Sequence, residues 1–129
     1  MSYACNVERS SIADYLPDFV RLGSEIAFTE PSGYRVVRST YRDIADAAYR
    51  FARELSARQI HKGDRVVLWG PNSSAWVAAF FGCAHRGVIV VPMDYASSPD
   101  FALRVFQQVN ARFIIGKDHR CRPNPKLLM

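Results

Sequence analysis

The stretch "KGDRVVLWGPNSSAWVAAFFGCAHRGVIVVPMD", Lys62 to Asp94, decides the fold. It contains two β-branched runs, "RVVLWG" (65–70) and "VIVVP" (88–92), on either side of an apolar stretch, Ala75 to Ala84. Neither run alternates polar with apolar residues, which predicts strands covered on both faces. "PNSS" breaks the first strand and starts a helix that runs to about Arg86, where Gly87 supplies the stop. A helix between two such strands is a crossover, and crossovers join parallel strands.

The pattern extends in both directions. "SPDFALRVFQQVN" (98–110) reads as a helix with Ser98 as cap and Pro99 at its first position, and "RFII" (112–115) as a short strand. From Gly116, "GKDHRCRPNPKLLM" loses pattern and reads as a loop or frayed end. Before Lys62, "HKGD" is a turn at Gly63. Thr40 opens a helix to about Arg58, with Asp43 completing a capping pattern. Ile44, Ala48, Phe51 and Leu55 form its apolar stripe, with Arg42, Asp46, Arg50 and Arg53 off it. "EIAFTE" and "YRVVRS" predict a β-hairpin turned by Pro31-Ser32-Gly33. Ser11 to Leu22 predicts a first helix, with Pro17 in its early turns and an apolar side of Ile12, Leu16, Phe19, Val20 and Leu22. The predicted fold class is α/β: an open, mostly parallel sheet covered by helices, preceded by a helix and a β-hairpin.

Composition bounds the function. At 129 residues, 49% hydrophobic and 22% charged, the chain has material for one globular core. Its net charge of +5 is uneven: from Lys117 onward four bases oppose one acid, so the tail carries +3. The basic balance is mainly a tail effect, so no nucleic-acid partner is expected. Cys5, Cys83 and Cys121 form no CxxC pair and no disulfide framework, which fits a reducing, cytoplasmic setting. The start "MSYACNVERSS" lacks a signal-peptide core, and the ten-residue apolar run is about half of the roughly 20 that a membrane span needs. It reads as a buried helix.

Chemistry-bearing candidates are few. "LWGPNSS" is a strand–turn–helix start of the kind that can hold a phosphate, but without a phosphate fingerprint a plain turn is the simpler reading. Asp94 follows a strand end, where α/β sheets place ligands; local capping of the "DYASSP" loop is the simpler role. His61, His85 and His119 are scattered, with only His119 near Cys121, too few ligands for a metal. Cys83 reads as a core residue, and Trp69, Trp76, Phe80 and Phe81 as core before pocket lining. No catalytic constellation emerges from the residues alone.

The ordered set of segments resembles the AMP-forming acyl ligases, the adenylate-forming group that includes acyl-CoA synthetases. "STYRDI" (39–44) resembles the first core motif of that family. The Lys62–Asp94 stretch resembles its Gly-Asp-Arg-Val turn and strand, Asn-Ser turn, apolar helix, Ala-x-x-Gly and Pro-x-Asp, with Ala84, Gly87, Pro92 and Asp94 at those positions. The resemblance spans about Ser11 to Ile115 and implies residues 1–116 as the N-terminal α/β lobe, with 117–129 a basic tail or truncated connection. It implies a buried strand that Pro92 ends. For a full-length parent it implies activation of a carboxylic acid, a fatty or other aliphatic acid, by ATP with Mg2+, followed by transfer to a thiol such as coenzyme A. The family's Thr-Ser-Gly-Thr-Thr-Gly-type loop and late lysine have no counterpart in this sequence, so no catalytic, cofactor-binding or metal residue is assigned. The chain alone is expected to be inactive. A non-catalytic interaction or regulatory module derived from the same lobe is the alternative. Its expected partner is the remainder of the ligase, or a second copy joined through an exposed sheet edge.

Overall fold

A computed structural model describes residues 8–116 and 121–123. A 3-10 turn, Ile12–Tyr15, leads into α1 (Leu16–Leu22). The sequence predicts one helix here. It is split because Pro17 has no N–H to continue an i→i−4 ladder, so the regular helix restarts beside it. Of the predicted apolar side only Leu16 is fully buried, while Ile12 and Val20 face solvent. The hairpin is β1 (Ile26–Ser32) and β2 (Arg35–Thr40), paired antiparallel from Ile26↔Thr40 to Ser32↔Arg35. Its turn is the two residues Gly33-Tyr34, with Gly33 at φ +63°, so Pro31 and Ser32 belong to the strand instead of the turn.

The longest helix, α2 (Tyr41–Ala57), begins at Thr40, whose hydroxyl accepts from the Asp43 N–H at 3.1 Å. The Asp43 carboxylate accepts in return from the Thr40 N–H at 2.9 Å. Ile44, Ala45, Ala48, Ala52 and Leu55 are buried along one side, as the stripe predicts. Then follow β3 (Arg65–Leu68), α3 (Ser74–Arg86), β4 (Ile89–Pro92), α4 (Pro99–Gln108) and β5 (Phe113–Ile115). Ser73 and Ser98 cap α3 and α4, and Gly87 ends α3 in the left-handed conformation at φ +71°.

The sheet runs β4-β3-β5, all parallel. A two-residue strand, β6 (Cys121–Arg122), is added antiparallel to β5. This corrects part of the expected frayed end. Two residues are too few to show a strand period in sequence, and the pairing depends on the open side of β5. Val66, Leu68, Val88, Val90, Phe113 and Ile115 form one core with Phe51 and Leu55 of α2 and Trp76, Ala79, Phe80 and Cys83 of α3. Val67 and Ile114 alternate to the opposite face and are also fully buried. Helix α4 makes the return from β4 past β3 to β5 and buries Ala102.

The strand read as buried is the edge strand. Ile89 and Pro92 of β4 are exposed, because among the described residues β3 is the one strand that pairs with it. The strand does end at Pro92, as expected, but no ladder bond is lost there. Ile89 N–H donates to Asp64 O at 2.8 Å and Met93 N–H to Leu68 O at 2.9 Å. Alternation along the strand therefore turns positions 90 and 92 outward, so proline occupies a position whose missing N–H would face the open edge.

Candidate functional site

The sequence singles out the loops at the C-terminal ends of β3 and β4. The turn Trp69–Ser73 leaves β3 with the Trp69 N–H bonded to Ile115 O at 2.9 Å. At the start of α3 the Ser73 hydroxyl accepts from the Trp76 N–H at 3.1 Å. The Ser74 N–H donates to a carboxylate oxygen of Glu30, which arrives from β1 of the hairpin. A phosphate brought to this helix start would meet that carboxylate, and like charges repel. The observed geometry is a strand-to-helix turn whose first N–H is held by a carboxylate from the hairpin. Glu30 was invisible to sequence reasoning: it lies 44 residues from its partner, and no local pattern announces the contact.

Asp94 caps its own loop. Its side chain accepts from the Ala96 N–H at 2.9 Å and its carbonyl from the Ser97 N–H at 2.9 Å, with the residue itself exposed. The local-capping reading describes this geometry. Trp76 stacks on Phe80 at 5.6 Å, Phe81 meets Phe80 edge-on, and Phe19 of α1 closes on Phe81 at 5.0 Å. Trp76 and Phe80, both half-buried, pack against the main cluster, and half-buried Phe81 joins them by its ring contacts. Trp69 stands at the strand end, and its buried indole N–H has no acceptor among the described residues. Cys83 is fully buried in the core.

His85 packs edge-on against Tyr49 at 5.1 Å, while the backbone N–H of His61 donates to the Asp64 carboxylate at 2.7 Å. His119 and the Cys121 side chain lie outside the described residues. Among the described residues no cluster of three or more His, Cys, Asp or Glu side chains converges as a metal site would require. Two exposed carboxylates are held below their ordinary range by hydrogen bonds to the ionised form: Asp43 by Thr40, and Asp14 by Ser11 and Ser10. Both are helix-start caps.

A shallow cleft of about 370 Å3 lies between Ser39 of β2 and the N-terminal parts of α2 and α3. Ser39, Asp43, Asp46, Arg50 and Ser74 contribute polar groups to it. No described helix is long and apolar enough to cross a membrane.

A family model described as AMP-binding enzyme matches residues 21–128. The chain belongs to the AMP-binding enzyme family. Within that family it is 43% identical to the long-chain-fatty-acid–CoA ligase FadD13 of Mycobacterium tuberculosis over 68 residues, which is 53% of this chain and 13% of that ligase. The N-terminal domain of FACL13 from Mycobacterium tuberculosis superposes with a TM-score of 0.75 at 29% identity, over 84% of this chain and 27% of that one. IdnL1 superposes with a TM-score of 0.77 at 26% identity, over 85% and 23%. This AMP-binding-family chain thus spans a small part of the length of the relatives it matches. The match includes both resembling stretches, Ser39–Ile44 and Lys62–Asp94, and continues past Ile115.

Proposed function

We propose that this chain is the N-terminal lobe of an AMP-forming acid–thiol ligase. The whole protein would activate a fatty or other aliphatic acid with ATP and Mg2+ to an acyl-adenylate and pass it to coenzyme A in the cytoplasm. The family match over residues 21–128 carries this reading, and the likeness to the N-terminal domain of FACL13 supports it. The lobe's part is architectural. Parallel strands and two covering layers supply a stiff half-sheet, and the parts that would neutralise phosphate charge lie elsewhere in the parent. The turn at Ser74 serves the same architecture, its N–H held by the Glu30 carboxylate.

The test is ATP–pyrophosphate exchange with a panel of carboxylic acids. It compares the purified 129-residue chain with the protein isolated from its natural source, whose intact mass is measured in the same preparation. The expected result is no exchange by the 14.6 kDa chain, and exchange by a natural protein several times that mass. Robust exchange by the pure chain would overturn the assignment of catalysis to other parts of the parent.

The alternative is a non-catalytic interaction or regulatory module derived from the same lobe, and an open sheet edge is expected under either reading. The β4 edge is open, with Ile89 48% exposed. Such an edge calls for a covering partner, either the remainder of the ligase or a second copy. Light scattering over a concentration series decides: association of the isolated chain supports the open edge as a partner surface, and a strict monomer at high concentration counts against it.

A further inference from the structure

We propose that the β1–β2 hairpin is a hinged arm, held closed by Glu30 at the start of α3, and that releasing this contact opens the cleft beside it. Three features of the molecule converge on this. The outer half of the hairpin is bare: Arg35, Val36, Val37 and Arg38 are all exposed, and a Cβ placed on Gly33 at the turn would meet nothing within 4 Å. Its root, by contrast, is fastened. Tyr41 N–H donates to Glu25 O at 3.0 Å, Arg42 N–H to Gly23 O at 3.1 Å, and the Thr40–Asp43 cap follows directly. Between fastened root and bare tip the register shifts, from Ile26↔Thr40 to Phe28↔Ser39. Ala27 is the extra residue of a bulge, a place where a strand bends.

Beyond that bulge, the Glu30 carboxylate reaches the Ser74 N–H. The bond is charge-assisted, and the positive end of α3 strengthens it. Glu30 thus acts as a clasp on the tip side of the hinge. The cleft occupies the angle this clasp closes, with Ser39 of the hairpin on one wall and Ser74 of α3 on the other. Opening the hinge separates those walls, while the sheet and the α2–α3 packing stay as they are.

Hydrogen exchange on the full 129-residue chain, read by peptide mass spectrometry, tests the arm. In Glu30→Ala, amides of residues 28–38 and of Ser74 should exchange roughly tenfold faster, the scale expected for loss of one charged hydrogen bond. Glu30→Gln, which keeps an acceptor oxygen without the charge, should fall between. Thr29→Ala, one residue along and on the opposite face of the strand, should leave the hairpin at its original rate. A Ser39→Cys probe, located by peptide mapping, should react about tenfold faster with a thiol reagent in the Glu30→Ala background. Hairpin exchange within twofold of the parent chain overturns the clasp. So does an equal loosening by Thr29→Ala, or a uniform rise that includes β3 and α2. Equal labelling rates at position 39 overturn the opening of the cleft.

Discussion

Gly82 of α3 lies directly against the backbone of Ala48 in α2: a Cβ placed on it would come within 2.8 Å of the Ala48 carbonyl oxygen and 2.9 Å of the Phe51 ring. The two main helices approach this closely because Gly82 has no side chain to hold the Ala48 backbone and the Phe51 ring away. A backbone oxygen inside a helix cannot swing aside as the end of a lysine can.

Gly82→Ala should therefore destabilise the chain, although alanine is the better helix former by about 1 kcal/mol. Overpacking a rigid contact costs about 1–3 kcal/mol, and the helices must separate to admit the methyl. Urea denaturation should show a lower midpoint with an unchanged slope. An unchanged or higher midpoint would mean that the crossing is loose.

The capping pair at the start of α2 makes a linked prediction about pH. Asp43 is held below its ordinary carboxylate range by the Thr40 N–H and hydroxyl. A depressed folded pKa contributes stability that is present above the unfolded value, close to 3.8, and is lost as pH falls through the lower folded value. Thr40→Ala should cost about 1 kcal/mol near neutral pH. It should also raise the Asp43 pKa toward the ordinary value, as NMR titration of its carboxyl would show. If the Asp43 titration does not move, the reciprocal cap does not govern it.

Pro92 yields the opposite kind of expectation. Its position in β4 turns toward the open edge, so no ladder bond is lost there. Pro92→Val should leave the thermal midpoint nearly unchanged while adding an outward N–H and a β-branched side chain to an unprotected edge. Stronger concentration-dependent association in light scattering is the expected readout. A large loss of stability without added association would refute the outward orientation.

Leu55 measures how far the core depends on α2. It is fully buried between Phe51, Ile60 and the sheet residues Val66 and Leu68. Leu55→Ala should cost about 2–5 kcal/mol, a large share of the stability of a domain this size. A change below 1 kcal/mol would place the cluster outside the cooperative core.

How much of this was legible in the sequence depended on the range of the interaction concerned. Thr40 with Asp43, Gly87 after Arg86 and Ser98 with Phe101 are contacts within a few residues, and each appears where the local pattern put it. The candidates Asp94 and Cys83 also kept their plainer roles, a loop cap and a core residue. The split of the first helix, the two-residue hairpin turn and strand β6 were misread. Each depends on a single missing donor, on register, or on a neighbouring edge, none of which leaves a periodic trace.

The sequence by itself determined the order of elements, the parallel character of the sheet and the likeness to adenylate-forming enzymes, because periodicity, capping and breaker residues act along the chain. Only the tertiary structure decided that β3 is central and β4 the edge, that the Pro92 nitrogen faces outward, and that Glu30 reaches the start of α3. Those facts depend on which strand lies beside which, and on a side chain meeting a backbone group 44 residues away. The free energy of such contacts belongs to the assembled layers and to no local segment.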